Sequence, residues 1–333
     1  MRLIRHCGEF GDAHRGCVVA LGNFDGVHLG HQSVILAAQA LARDQGVASG
    51  VMTFEPHPRR LFRPDLPPFR LTPLRVKARL IEALGIDLLF QQTFDSGFAR
   101  VSAHDFVVGF LVGAMGVGHV VVGYDYVFGQ GRGGDCAFLS RVGAELGFGV
   151  TVVPPTELDG TPCSSTRVRA ALAAAQPGEA ARLLGHYWEI EGRVEHGSAR
   201  GRDLGFPTAN LRLGDYQRPA TGVYAVRAGI DRGATTVWHD GVANFGRRPT
   251  FDLTDEILEV HLFGLTEDLY GRHLRVALID HLRPERKFSG IEELRAQIVR
   301  DAETARARLG GLPFPAAPGP MVPVAASTSG LNP

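Results

Sequence analysis

An α/β domain followed by a small antiparallel β-barrel is the fold class this sequence predicts, and three observations predict it. From Cys17 to about Leu184, short β-branched apolar runs alternate with amphipathic helical stretches. After Gly185 the helical period nearly vanishes, and strand-like runs follow one another between Gly, Asp and Pro turns. The chain has 333 residues, a little over twice the ~150 of an average domain, so two domains are the natural division.

The elements follow in order. Met1 to Gly16 mixes Arg, His, Glu and Asp and has no apolar stretch fit for a signal-peptide core. VVALGNF (18–24) reads as a strand, HQSVILAAQALAR (31–43) as a helix, VASGVMTF (47–54) as a strand and KARLIEALG (77–85) as a helix. HVVVGYDYVFG (119–129) and FGVTVVP (148–154) are further strands. These runs are too continuous to be one-sided, which is the pattern of a parallel sheet covered by helices on both faces. The most apolar run, Phe106 to Tyr124, is broken by five glycines and by His119, so it predicts a buried helix, a turn and a buried strand, not a membrane span.

In the second half EIEGRVEHG, GVYAVRAGI, TVWHDGVANFG, EILEVHLFG and HLRVALIDHL predict the barrel strands. FSGIEELRAQIVRDAETARARL predicts a closing helix, with Ser289 and Glu292 as a capping box and Ile291, Leu294, Ile298 and Ala302 as its apolar stripe. The boundary is expected near Leu184–Trp188, after a helix that starts at Pro177-Gly178, dividing 1–184 from 185–310. Residues 311–333, rich in Pro, Ala and Ser, are expected to form a disordered tail.

Composition narrows the function. Lys plus Arg equals Asp plus Glu at 35 each, so the chain lacks the broad cationic field that nucleic acid or an anionic membrane would require. Any phosphate it binds is bound locally. Cys7, Cys17, Cys136 and Cys163 lie far apart with no C-x-x-C pair, which argues against a zinc ribbon or a disulfide scaffold and for reduced thiols in cytoplasm.

The run VVALGNFDGVHLGHQ places a strand, a glycine-bearing turn and a helix start within fifteen residues, a geometry that turns backbone N–H groups toward an anion. His28 and His31 are three apart across the helix entrance, so both rings can donate to charge building on a phosphate bridge, and Gly30 leaves the backbone room to approach. Two surface histidines are the plain alternative, and the preceding Gly22-Asn23-Phe24-Asp25-Gly26 weighs against it. Zinc is weaker still: the glutamate of H-E-x-x-H is missing, and so is a third ligand. Ser164-Ser165-Thr166-Arg167-Val168-Arg169 precedes an alanine-rich helix at 170–175. Its hydroxyls suit a helix cap, while two arginines at a helix N-terminus oppose the macrodipole unless an anion joins them.

In the second half Thr208 and Asn210 are hard-oxygen donors two apart, so in an extended segment they point the same way toward a shared cation, or else decorate a turn. In ILEVHLF, Leu258, Val260 and Leu262 take one face and Glu259, His261 and Phe263 the other. A carboxylate flanked by an aromatic ring and an imidazole suits a general base; a solvated strand face is the alternative.

GNFDGVHLGHQ, TFEPHP (53–58), VVGYDYVFGQGRGGD (121–135) and SSTRVR together resemble the nucleotidylyltransferase superfamily, and within it the FMN adenylyltransferase module of bacterial FAD synthetases. The resemblance implies that His28 and His31 hold ATP phosphates, with the Gly22, Phe24, Asp25 and Gly30 turn around them. It implies that Asn23 and Asp125 position the reactants and that Ser165, Thr166, Arg167 and Arg169 close on the triphosphate. Pro56, Pro58, Phe62 and Phe128 would line the flavin seat. Tyr126 stands where that family usually carries Phe, and Cys163 where Ile is common. G-R-x-L-G-F-P-T-A-N (201–210), GVYAV (222–226), RPTF (248–251), LEVHLF, LYG (269–271) and RPERKF (283–288) resemble riboflavin kinase in unbroken order. That likeness implies Thr208 and Asn210 as Mg2+ and phosphate ligands, Glu259 as the base, and a backbone approach for ATP at Gly201 and Gly205.

Taken whole, the chain is similar to the bacterial bifunctional riboflavin kinase/FAD synthetase family from Val18 to about Leu309. The implied ligands are riboflavin, FMN, FAD and ATP, with no nucleic acid, membrane or obligatory protein partner. Two rivals are an adenylyltransferase for another phosphorylated acceptor such as phosphopantetheine, and a flavin-sensing regulator that lost turnover. Thr208, Asn210 and Glu259 argue against the first, and both histidines with Glu259 against the second.

Overall fold

The computed structural model describes residues 1–5, 11, 14–196, 205–232, 235–249 and 254–312, with the backbone alone at 247–249 and 254–255. Cys7, Gly201 and the tail from 313 onward lie outside the described residues.

The first half is a six-stranded parallel sheet, in the order β1-β4-β3-β2-β5-β6, built from β1 (Arg2–Ile4), β2 (Val18–Leu21), β3 (Ser49–Glu55), β4 (Leu88–Thr93), β5 (His119–Gly123) and β6 (Gly149–Val153). The four residues of β2 are all buried because helices cover both faces of this central strand. The edge strand β1 comes from the polar start of the chain, where no element was expected; three residues add little periodicity to read. On one face α1 (Leu29–Gln45) buries Val34, Ile35, Ala38 and Ala42, and ends at Gly46, whose φ of 66° supplies the left-handed turn. Further helices are α2 (Pro58–Phe62), α3 (Leu74–Ala83) and α4 (Ala103–Asp105), the last running into a π-helical turn at Phe106–Ala114. Only Phe106, Val107 and Leu111 of that turn are buried, so the expected buried helix is half-exposed, its outward residues including Val108.

α5 (Cys136–Leu146), the small hairpin β7 (Glu157–Leu158) and β8 (Thr161–Pro162), α6 (Ser165–Ala173) and α7 (Pro177–Leu184) complete the half. The Ser-Ser-Thr-Arg-Val-Arg cluster does not precede the helix; Ser164 is its N-cap, accepting from the Arg167 amide, and the rest forms its first turns.

The second half is a six-stranded antiparallel sheet, β10-β13-β12-β11-β14-β9, of β9 (Glu189–Arg193), β10 (Ala209–Arg212), β11 (Gly222–Asp231), β12 (Thr236–Pro249), β13 (Thr254–Leu262) and β14 (His273–Arg283). Its two edges meet where the Glu195 amide donates to the Asn210 carbonyl at 2.9 Å, so the barrel is nearly closed. α8 (Ile291–Leu309) packs across it through Ala302, Ala305 and Leu309. The first member of the expected stripe falls outside it, since Ile291 is 64% exposed. The expected box is also displaced: Glu293, not Glu292, reaches back to the Ser289 amide and hydroxyl, one helical turn away.

The halves are sewn together. The Trp188 indole donates to the Leu71 carbonyl at 2.8 Å, and the segment around Arg70 exchanges backbone bonds with Asp215 and Gln217. A single apolar cluster runs from Val18, Leu71 and Leu184 through Trp188 to Tyr224 and Leu278.

Candidate active sites

In a doubly wound sheet the ligand crevice opens where neighbouring strands lead their connections to opposite sides, beyond the carboxyl ends. Here that point lies between β2 and β5, and a cavity of about 980 Å³ opens there, lined by Leu21 and Gly22 at the end of β2 and by Gly123 to Gly129 at and beyond the end of β5. The turn after β2 is tight. Phe24 and Val27 hold φ of 48° and 46°, left-handed values that side chains with a Cβ rarely adopt, and both are buried. A Cβ on Gly22 would fall 2.9 Å from the Phe24 ring, so the turn needs glycine there.

His28 and His31 come together as the spacing predicts. Their rings stack with centroids 3.5 Å apart. His28 is the N-cap of α1: the His31 amide donates to its Nδ1 at 3.3 Å, which leaves the hydrogen on Nε2. Burial pushes His28 down to about 4, with the Asp25 carboxylate opposing and Arg169 assisting. Burial also takes His31 well below the ordinary range, helped by His28, Lys77 and Arg169. Both are therefore neutral hydrogen-bond donors at neutral pH. Gly30 makes room for this pair, since a Cβ there would lie 3.3 Å from the His28 ring.

Gly22, Asn23, Phe24, Asp25, Gly30, Asp125, Ser165 and Arg169 all line the cavity. Asp25 has a structural duty as well. It is 2% exposed and accepts from the amides of Leu71 and Thr72 and from Arg169. Burial tends to raise its pKa, yet Arg169, Lys77 and the Thr72 amide together hold it below the usual carboxylate range. The two arginines of α6 part company. Arg169 reaches Asp25 and the Phe69 carbonyl, whereas Arg167 turns to the carbonyls of Leu158, Thr161 and Pro162 and lies 3.8 Å from Glu179. Neither Thr166 nor Arg167 reaches the cavity wall. Their carbonyl and carboxylate partners answer the helix dipole without an added anion.

The opposite end of the cavity is aromatic. Pro58, Phe62 and Phe128 line it, joined by Phe54, Phe94, Phe98 and Phe106, which meet in edge-on and tilted pairs. Pro56 is not on the wall. Sequence reasoning passed over His57, Lys77 and three cavity arginines, Arg59, Arg63 and Arg132. His57 caps α2 by accepting the Arg59 amide at 3.1 Å, and burial pushes it down to about 4. Its signal was available: a histidine ahead of a proline that starts a helix is a capping position.

The barrel carries a second cavity of about 450 Å³, lined by Pro207, Thr208, Asn210, Val260, Leu262, Leu269 and Tyr270. It brings Thr208 and Asn210 to one place, as their spacing predicts. Asn210 is 5% exposed, and its Oδ1 is buried without a hydrogen-bond partner in the protein. Glu259 is half-buried, opposite Asn210 on β10 and Asn244 on β12, so the three side chains share one face of the sheet. Leu258, Val260 and Leu262 are buried on the other, as the alternation predicts. Glu259 itself is not on the cavity wall, and neither is Gly205, whose φ of 85° marks a turn just before the strand. Among the described residues no group of three His, Cys, Asp or Glu side chains is placed to hold a metal, and no helix is long and apolar enough to cross a membrane.

Comparison with known proteins matches each half of the chain separately. A family model described as FAD synthetase matches residues 11–167, and one described as riboflavin kinase matches residues 184–309. The bifunctional riboflavin kinase/FMN adenylyltransferase of Escherichia coli (strain K12) is 43% identical over 93% of this chain and 98% of its own. Those of Pseudomonas fluorescens and Bacillus subtilis (strain 168) are 43% and 38% identical, over 92% and 86% of this chain and 97% and 91% of theirs. A crystal structure described as a macrolide-efflux protein from Streptococcus pneumoniae has the same fold, with a TM-score of 0.82 at 33% identity over 91% of this chain and 98% of that one. With two matching family models in series and relatives similar along nearly their whole length, the chain belongs to the bifunctional riboflavin kinase/FMN adenylyltransferase family.

Proposed function

We propose that the two reactions of this family are divided between the two cavities: the barrel phosphorylates riboflavin to FMN with ATP, and the α/β cavity adenylates FMN to FAD with release of pyrophosphate. The observation that carries the division is the character of each cavity. One joins neutral imidazole donors and a strained glycine turn to an aromatic wall within a single cavity of about 980 Å³. The other gathers hard-oxygen donors beside a carboxylate.

In the α/β cavity an oxygen of the FMN phosphate attacks the α-phosphorus of ATP, and the bond to pyrophosphate breaks. No covalent enzyme intermediate is required, so the protein acts by positioning and by meeting charge as it forms. His28 and His31 donate to the phosphate chain. Ser165 donates its hydroxyl to the Asp25 carbonyl at 2.7 Å and so ties the start of α6 to the glycine turn. Pro58, Phe62 and Phe128 hold the flavin ring.

In the barrel Glu259 takes the proton from the terminal ribityl hydroxyl, whose oxygen bonds to the γ-phosphorus as ADP leaves. Magnesium fits this site by chemistry: Thr208 and Asn210 offer hard oxygens, and the Asn210 oxygen lacks a protein partner. Thr208 and Asn210 would hold it, and when bound it would neutralise phosphate charge. The same reading makes the protein a cytoplasmic enzyme with riboflavin, FMN, FAD and ATP as its ligands.

The test is product identification with purified protein. Riboflavin, ATP and magnesium should yield FMN and then FAD. Glu259→Gln should stop FMN formation while added FMN still becomes FAD. Loss of both activities in a folded variant would contradict the division between cavities.

A further inference from the structure

Beneath the α/β cavity lies a set of buried charges that the steps above leave unused. Lys77, on α3, is fully buried. Its Nζ donates to Thr53 Oγ1 at 3.0 Å and stands 3.5 Å from a Glu55 oxygen. Thr53 in turn donates to the Asn23 carbonyl at 3.1 Å, so the ammonium sits directly behind the Gly22–Asn23 turn. Glu55, however, is already engaged at both oxygens by Arg70, and Asp25 by Arg169. Three cations thus face two carboxylates, and Lys77 shares Glu55 with Arg70 instead of having a carboxylate to itself. The other titratable groups turned toward it are His31 and His57, both held neutral chiefly by burial. Asp215, which faces Arg70 from the barrel, is 74% exposed and lies 3.8 Å from Arg60.

An ammonium buried with only a shared counter-ion is costly to the fold, and an anion arriving nearby offsets that cost. We propose that Lys77 is a positioning residue for the phosphates of the adenylyl-transfer reaction: its excess buried charge, behind the Gly22–Asn23 turn, draws the triphosphate and the departing pyrophosphate toward His28 and His31 without touching them. This rests on the α/β cavity being the adenylyl-transfer site.

The experiment uses the full chain, with Lys77→Met and Glu55→Gln as variants of opposite sign. Lys77→Met leaves Arg70–Glu55 and Arg169–Asp25 balanced. Inhibition of adenylyl transfer by added inorganic pyrophosphate should weaken roughly tenfold, the scale of one charge felt over about 12 Å at an effective dielectric of about 20. Transfer to supplied FMN should slow by a similar factor, riboflavin phosphorylation should be unchanged, and the melting temperature without ligand should not fall. Glu55→Gln enlarges the excess, so pyrophosphate should inhibit more strongly while the melting temperature drops. A lysine that merely props the turn predicts the reverse. A Lys77→Met chain that melts lower with unaltered pyrophosphate inhibition, or a Glu55→Gln chain less sensitive to pyrophosphate, overturns the proposal. If Lys77→Met does not fold, the sign of the Glu55→Gln effect decides alone. Failure of the unsubstituted chain to adenylate FMN would instead overturn the site assignment.

Discussion

His28 and His57 each use Nδ1 to cap a helix and keep a hydrogen on Nε2 for the cavity, so each is committed to the neutral state by its place in the fold. That commitment has a consequence for stability. Burial, the largest cause, brings both from an ordinary 6.5 down to about 4, while the unfolded chain keeps the ordinary value. Between those two values the unfolded state binds more protons, so the stabilisation is complete above about pH 6.5 and is lost as pH falls toward about 4, at up to about 1.4 kcal/mol per pH unit for each group. The melting temperature should accordingly drop between pH 7.5 and pH 5, and His57→Asn, which keeps a capping oxygen, should flatten the slope. An equally steep slope in that variant would remove His57 from the account. At this scale the sequence was legible where chemistry demands a fixed spacing, as for His28 and His31. It was not legible for Lys77. A lysine at the edge of an amphipathic helix reads as a solvated face, yet Lys77 lies on the stripe of Leu80 and Ile81 and is buried with them. Arg167 misled for a related reason: spacing shows that a cation sits near a helix start, not that the hairpin carbonyls of Leu158 and Thr161 await it.

Strands in the barrel act as rulers that put side chains from different parts of the chain on one face. β13 presents Glu259 and His261 two residues apart, and the pairing with β10 sets Asn210 opposite Glu259. The His261 Nδ1 lies 2.9 Å from the Pro207 carbonyl, and since a carbonyl only accepts, the imidazole is the donor. That bond fastens the segment just before β10, the one that carries Thr208. Replacing His261 by Phe should therefore lower riboflavin phosphorylation about tenfold, the scale of a lost hydrogen bond. His261→Asn should recover part of it through the amide N–H, and adenylation of supplied FMN should stay the same in both. If His261→Phe phosphorylates riboflavin at the unsubstituted rate, the bond positions nothing. The strand alternation behind this, with Leu258, Val260 and Leu262 inward, was readable beforehand because a period of two is unambiguous beside a core. Helix beginnings were less so. Ser164 competes with several neighbouring hydroxyls for the cap of α6, and Glu292 and Glu293 follow Ser289 at three and four residues, of which Glu293 makes the bond.

Over the whole molecule, the texture change at Gly185 marks a change of architecture more clearly than it marks two bodies. Arg79 on α3 crosses to Glu189 at 2.8 Å and to Glu191, both on β9, and Arg275 on β14 meets Glu189 from the other side at 3.0 Å. Glu191 has only 3% of its side chain exposed, so separating the halves would strand or hydrate a buried carboxylate. The Ala220 amide donates to the Leu172 carbonyl at 2.9 Å, a backbone bond from the barrel to the end of α6. These contacts escape a sequence reading because each joins residues tens of positions apart with no periodic signature. They bear on whether residues 185–310 can stand alone. The barrel has its own sheet and the Ala305–Leu309 seam of α8, so a fragment from 185 to 312 should fold and phosphorylate riboflavin. It should melt lower than the full chain, because Trp188 loses the Leu71 carbonyl and the apolar floor around it. In the full chain calorimetry should then register one cooperative transition, since neither half can unfold without exposing the shared core. Two well-separated transitions, with the barrel melting at the same temperature inside the chain and outside it, would mean that the interface contributes nothing to either half.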